Sequence, residues 1–338
     1  MRHPAPAIAV ATVCVAVLAG DAAPPEGVQF LEYKRWPGCV VLTAPDAKIK
    51  AIVVPAIGGR VIHYGPDDGN IIFEVPGSDG KTLANTKNWF WVGGYQLDLG
   101  PETRGLPAHD KLWVGQHQAR TPAPYTAATV SEPDTVTGMQ LDKEFRLDAR
   151  TGGLTVVQRM KNASGKAATF CLWDRTLCKG GGFAFFPLNK KSRFPAGWSV
   201  RVKMKGDDAY NGATPAVPNV KSMDGVLVAE CNGKEGKVGA DSDAGWIAYV
   251  RGKQLFIKSF PYTADGTYSD GGNSVELYWS NQVAELEPLS PEVQLQPGAE
   301  YVFPERWLLL TLPEEAATFD AARALVDKVS AAVKDVRK

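Results

Sequence analysis

The sequence has no surplus of either charge. Its 37 Lys+Arg balance 37 Asp+Glu, so nothing in it drives counterion release from nucleic acid or attraction to an anionic membrane. Histidine is scarce, and its four positions, His3, His63, His109 and His117, share no metal-ligand spacing. The five cysteines form no C-x-x-C pair, which excludes the usual zinc patterns. Four of them, Cys39, Cys171, Cys178 and Cys231, read as buried thiols with at most one optional disulfide. No G-x-S-x-G nucleophile turn is present. Gly80-Lys81-Thr82 has Val75 where a phosphate loop needs glycine. Asp241-Ser242-Asp243-Ala244-Gly245 has Gly252 where a calcium loop ends on Glu. These absences leave neither a metal nor a nucleotide cofactor to expect.

Long apolar runs are also lacking, with one exception at the amino terminus. Residues 7–20 form an uncharged stretch after Arg2 and His3, followed by the small residues around Gly20 and Ala22. This run is too short for a comfortable membrane span and reads as a secretory signal over residues 1–22. The expectation is an exported protein, periplasmic or extracellular, with no membrane span once the signal is removed.

What is abundant is turn and strand. The 34 Gly and 24 Pro punctuate short β-branched or alternating runs and leave no room for an all-helical bundle. IKAIVVP (49–55) and RVIHY (60–64) flank Gly58-Gly59 as a hairpin, and IIFEV (71–75) reads as a further strand. MQLDKEFRLD (139–148) alternates apolar with polar residues and pairs across Thr151-Gly152-Gly153 with LTVVQRMK (154–161). ATFCLW, GWIAYV, QLFIKSF, SVELYWS, VAELEPL and YVFPERWLLLTL continue the series. This predicts an all-β fold of antiparallel sheets packed face to face over residues 23–312. Residues 77–124 read as a loop-rich rim. Only residues 313–338 are helical in pattern. There Phe319, Ala322, Leu325, Val326, Val329 and Val333 fall on one face, so an amphipathic helix should close the domain.

The candidate chemistry is carboxylates and aromatics. Glu285 and Glu287 are two apart in an expected strand, so alternation sends both side chains to one face. A carboxylate at the mouth of a groove can serve as general base on a sugar hydroxyl. Trp89, Trp91, Tyr95 and Trp113 offer flat apolar surfaces for a sugar ring. His109 and His117 lie in the same aromatic-rich stretch. The expected partner is a mono- or oligosaccharide; the sequence does not set the oligomeric state.

VVPAIGGRVIHYGPDDGNIIFE resembles the opening hairpin of the galactose mutarotase-like (aldose epimerase-like) superfamily. AELEPLSPEVQLQPGAEYVFPERWLLL is similar to its closing strands, and VQRMKNASGKAATFCLWDRT to its central strand pair. The resemblance is closest to an often exported bacterial branch without an assigned reaction. It implies an antiparallel β-supersandwich that binds carbohydrate. It also implies a catalytic Glu at Glu285, with Glu287 as the register alternative. Where such epimerases carry an acid His, this chain reads Leu172-Trp173-Asp174-Arg175. His109, His117 or Asp174 would then supply the acid, with Trp173, Arg175 and the hairpin-turn Arg60 as substrate contacts. The resemblance leaves three readings open: a binding protein, an aldose 1-epimerase-like isomerase, and a glycoside-cleaving enzyme that uses Glu285 with Asp174.

Overall fold

The structure is a computed structural model that describes residues 23–86, 88–106, 108–202, 210–211 and 217–337. The expected signal, residues 1–22, lies outside the described residues. Every strand pairing in the sheets is antiparallel. A four-stranded sheet comes first, made of β1 (Val28–Tyr33), β2 (Trp36–Ala44), β3 (Ile49–Val54) and β4 (Arg60–Gly65) in that order.

The second sheet carries the site. It consists of β5 (Tyr95–Gly100), β10 (Ala168–Lys179), β12 (Ser199–Arg201), β13 (Tyr210–Asn211), β16 (Gly236–Ala240), β19 (Val275–Trp279), β20 (Val283–Pro288) and β21 (Val293–Leu295). Their order is β13-β12-β16-β19-β20-β10-β21, with β5 pairing the middle of β10. The third sheet holds β6 (Gln118–Arg120), β7 (Thr126–Val130), β8 (Met139–Leu147), β9 (Leu154–Asn162) and β11 (Gly182–Pro187). It is completed by β14 (Val220–Met223), β15 (Val226–Cys231), β17 (Trp246–Arg251), β18 (Gln254–Ser259) and β22 (Glu300–Thr311). Its order is β14-β15-β11-β17-β18-β22-β9-β8-β7-β6.

Alternation along these strands builds the layers. On β8, Met139, Leu141, Phe145 and Leu147 are buried while Gln140, Asp142, Glu144 and Arg146 are not. The inward set packs with Phe186, Tyr249, Phe256 and Trp307 against Leu172, Leu277, Ala284 and Leu286 of the second sheet, forming one shared core. Large buried areas of this kind contribute most of the stability of a sandwich. The opposite face of the ten-stranded sheet carries Phe185, Val228, Ala248 and Ile257, and the C-terminal helices cover it with Ala322, Val326, Val329 and Val333. Those helices are α3 (Phe319–Arg323), which Thr318 caps through Ala321 N, and α4 (Val326–Arg337). The expected single helix is thus interrupted at Ala324–Leu325.

Two other expectations change. Residues 71–75 do not form a strand; they make only the isolated bridges Ile72–Cys178 and Glu74–Gly93. The side chain of Asn70 accepts from Tyr64 N and Ile72 N, replacing ladder partners there. The rim at 77–124 contains the short helices α1 (Leu83–Thr86) and α2 (Asp110–Val114), and also a full core strand, β5. Cys39, Cys171, Cys178 and Cys231 are all buried and free.

Candidate functional site

The face of the second sheet turned away from the shared core carries an unusual row of side chains. Val238, Leu277, Ala284, Leu286 and Leu172 point into the core, so their neighbours along each strand point outward. Lys237 pairs with Tyr278, Tyr278 with Glu285, and Glu285 with Leu177 across β16, β19, β20 and β10. Glu276 faces Glu287 in the next row, and Trp173 faces Asp98 in the row beyond. Register therefore fixes which residues meet. Above this face lies a cavity of about 400 Å³. Arg175, Arg201, Lys237, Tyr278 and Glu285 rise from the strands to line it, and Trp89, Trp91 and Glu102 close it from the rim. Trp89 and Trp91 are 45% and 38% exposed, and Trp91 leans on Phe73 at 5.5 Å between ring centroids.

The charges beneath the cavity are heavily cross-linked, with one exception. Lys237 Nζ donates to Glu287 at 2.9 Å and sits 3.1 Å from Glu276 and 3.6 Å from Glu102. These carboxylates outweigh burial and hold its ammonium above the usual range. Trp173 is fully buried; it donates through Nε1 to Glu287 at 2.9 Å. Arg175 and Lys237 stack over its ring at 4.0 and 4.5 Å. The Arg175 guanidinium makes longer ion pairs, 3.4 Å to Asp98 and 3.9 Å to Glu102, and no hydrogen bond among the described residues. Glu102 is 3.3 Å from Arg201. Despite burial, these cations keep its carboxyl below the usual value.

Glu285 is the exception. Its carboxylate forms no hydrogen bond or ion pair with any described residue. Burial, and then the neighbouring Glu287 charge, push its pKa from 4.5 to about 7. Arg175 and Lys237 only partly oppose that rise. A carboxyl group poised near neutrality is suited to proton exchange.

The structure divides the residues expected from sequence into four groups. Glu285, Trp91 and Arg175 open into the cavity, as does Trp89. Glu287 and Trp173 lie directly beneath it. His109 and Trp113 stand one layer behind and contact Asp98, which in turn pairs with Arg175. Asp98 accepts from His109 Nε2 at 2.9 Å, from Trp113 Nε1 and from Leu99 N, and pairs with Arg175.

The remaining four lie elsewhere. Asp174 is one residue from Arg175 and therefore faces the core, where it accepts from Lys258 Nζ and from Thr176 Oγ1. It cannot supply an acid to the cavity from that side of the sheet. Tyr95 is likewise turned inward and donates to Gln158 at 3.1 Å. Arg60 is buried and donates to three backbone carbonyls, those of Ile57, Gly93 and Trp113. His117 is fully buried beside the turn at Gly59, and burial with the nearby Lys143 keeps its imidazole neutral. Sequence reasoning missed Asp98, Glu102, Arg201, Lys237 and Tyr278. The signals were faint: Asp98 has the alternation of YQLDLG, whereas Lys237 sits in the short glycine-rich GKVGA. Among the described residues no three metal-ligating side chains come together.

Residues 115–310 match the family described as a domain of unknown function, DUF4380. The chain belongs to this family. The matched stretch of this DUF4380 chain includes Arg175, Arg201, Lys237, Tyr278 and Glu285, while Trp89, Trp91, Asp98 and Glu102 precede it. No curated protein matches the sequence. Solved structures show the fold. A candidate aldose 1-epimerase of Escherichia coli K12 aligns with TM-score 0.56 and 12% identity over 81% of this chain and 100% of its own. One from Klebsiella pneumoniae aligns at 0.55 and 12%, over 90% and 86%. A galactose mutarotase-like protein of Lactobacillus casei gives 0.53 and 12%, over 80% and 100%. The DUF4380 chain therefore has the galactose mutarotase-like sandwich fold, and identity this low carries the fold alone.

Proposed function

We propose that this chain binds an aldose in the cavity above β16, β19, β20 and β10, and that Glu285 exchanges a proton with the bound sugar. The observation that carries the reading is Glu285 itself, a carboxyl with no partner among the described residues, poised near neutral pH at the floor of a sugar-sized cavity. Beside it the Arg175 guanidinium has no hydrogen-bond partner among the described residues. An acceptor and a donor held open next to each other suit the hydroxyl and ring oxygen of a hemiacetal. The exposed faces of Trp89 and Trp91 suit the apolar face of a pyranose. The fold shared with candidate aldose 1-epimerases adds weight to an epimerase-like ring opening.

The test is anomer exchange by NMR on a panel of freshly dissolved aldoses, comparing wild type with Glu285→Gln. The proposal expects faster interconversion with wild type and a rate near background with the variant. A second reading is a binding protein that does not catalyse; it is favoured by the lack of any histidine opening into the cavity among the described residues. That reading predicts ligand-induced shifts without acceleration. We further propose that the site works in an exported protein, on the strength of residues 1–22. Cell fractionation and the mass of the mature amino terminus test this, and a cytoplasmic chain retaining Met1 would refute it.

A further inference from the structure

We infer that Glu102 is the second proton-transferring carboxylate of this site, taking the proton of the anomeric hydroxyl while Glu285 donates one to the ring oxygen. The inference rests on the epimerase-like form of the proposed function and divides its acid and base roles between two carboxylates.

Elimination narrows the acid to Glu285. The described histidines do not line the cavity: His63 lies in β4, His109 behind Asp98, and His117 is fully buried. Asp174 faces the core. Lys237 is held in its charged form by three carboxylates and does not release a proton readily. Tyr278 is pushed up to about 12 by burial and by its hydrogen bond to Glu235. The arginines do not titrate. Glu285, with no cation in contact and Glu287 two residues away, is the cavity group most easily kept protonated.

Glu102 has the opposite environment. Arg201, Lys237 and Arg175 surround it at 3.3, 3.6 and 3.9 Å, which favours the ionised form. Its carboxylate accepts no hydrogen bond from any described residue, so its lone pairs remain open to a hydroxyl. Its loop is braced immediately after it: Thr103 donates to Asp270, and Arg104 pairs with Glu292 at 2.9 Å. Two carboxyl groups whose surroundings drive their proton affinities apart are a recurring acid–base arrangement.

The step balances. The O1–H proton passes to Glu102, the C1–O5 bond breaks as C1=O1 forms, and O5 takes the proton from Glu285. Rotation about C1–C2 presents the other carbonyl face. O5–H then returns its proton to Glu285 as O5 attacks C1, and O1 recovers the proton held by Glu102. No co-reactant is consumed. The base role that the family resemblance gives Glu285 is thereby exchanged for an acid role.

The test is the pH profile of catalysed anomer exchange for the best aldose of the panel, with Glu102→Gln, Glu102→Asp and Glu285→Gln alongside. The inference expects the wild-type rate to fall as pH rises through about 7 and to fall again below Glu102's own, lowered pKa. Glu102→Gln should lose about 100-fold or more, and Glu102→Asp should retain the shape of the profile at a reduced rate. A rate that rises through neutral pH, or Glu102→Gln within about threefold of wild type, overturns the inference but leaves the proposed function standing. A wild type that binds sugars without accelerating exchange overturns both. If Glu102→Gln does not fold, the direction of the wild-type profile decides alone.

Discussion

Replacing Glu285 by Gln should make the protein more stable at alkaline pH, because the native carboxylate is held where ionisation is penalised. In the folded chain its pKa is raised from 4.5 to about 7 by burial and by Glu287. A raised carboxyl pKa means that the folded state binds the proton more tightly than the unfolded state does. The resulting contribution is complete below about 4.5, declines as pH rises, and is lost above about 7. At roughly 1.36 kcal/mol per pH unit the rise corresponds to about 3 kcal/mol. Part of the carboxyl group still meets solvent, so about 2 kcal/mol is the working figure. Glutamine keeps the shape and removes the titration. Urea unfolding at about pH 4.5 and about pH 8 should therefore show variant and wild type nearly equal at the lower pH, with the variant about 2 kcal/mol more stable at the higher. An equal gain at both pH values, or none at the higher, would refute the claim that burial and Glu287 penalise ionisation of Glu285 in the folded chain.

Three further outcomes follow from the same geometry. Trp89→Ala and Trp91→Ala should each weaken sugar binding about tenfold while changing the melting temperature little, since both residues stand on the exposed rim outside the core; calorimetric titration and thermal melts check the pair. Asp98→Asn should cost about 3 kcal/mol of stability and also weaken binding, because it leaves Arg175, Trp113 and His109 without their common charged acceptor. Asp174→Asn should destabilise by about 2 kcal/mol, with Lys258 retaining Glu305 at 3.2 Å, yet leave sugar affinity unchanged because the side chain faces the core. Denaturation and titration of each variant separate the two effects.

How much of the site was legible depends on strand parity. The alternation of MQLDKEFRLD declares which face of β8 is buried, and the core follows it. In LWDRTLCK both faces carry apolar residues, so nothing in the sequence says whether Asp174 or Arg175 faces the cavity. A one-residue difference places one in the intersheet core and the other under the ligand space. Tyr95 and Gln96 present the same ambiguity on β5, a strand concealed among glycines and tryptophans. Glu285 was readable because VAELEPL alternates cleanly. Lys237 and Glu102 were not, since one lies on a short glycine-rich strand and the other on a loop. Arg60 and His117 have the residue types of a binding site, but the carbonyls around the Gly58-Gly59 turn hold Arg60 and the packing there encloses His117.

The central claim is that the cavity rimmed by Trp89 and Trp91 and floored by Glu285 is where a sugar sits. The most direct test follows the indole N–H resonances of the nine tryptophans during titration with the aldose panel, each resonance assigned by single substitution. The account predicts saturable shifts at Trp89 and Trp91, a smaller shift at Trp173 beneath them, and none at Trp36 or Trp307. Shifts confined to other tryptophans, or no shift with any sugar, would contradict it.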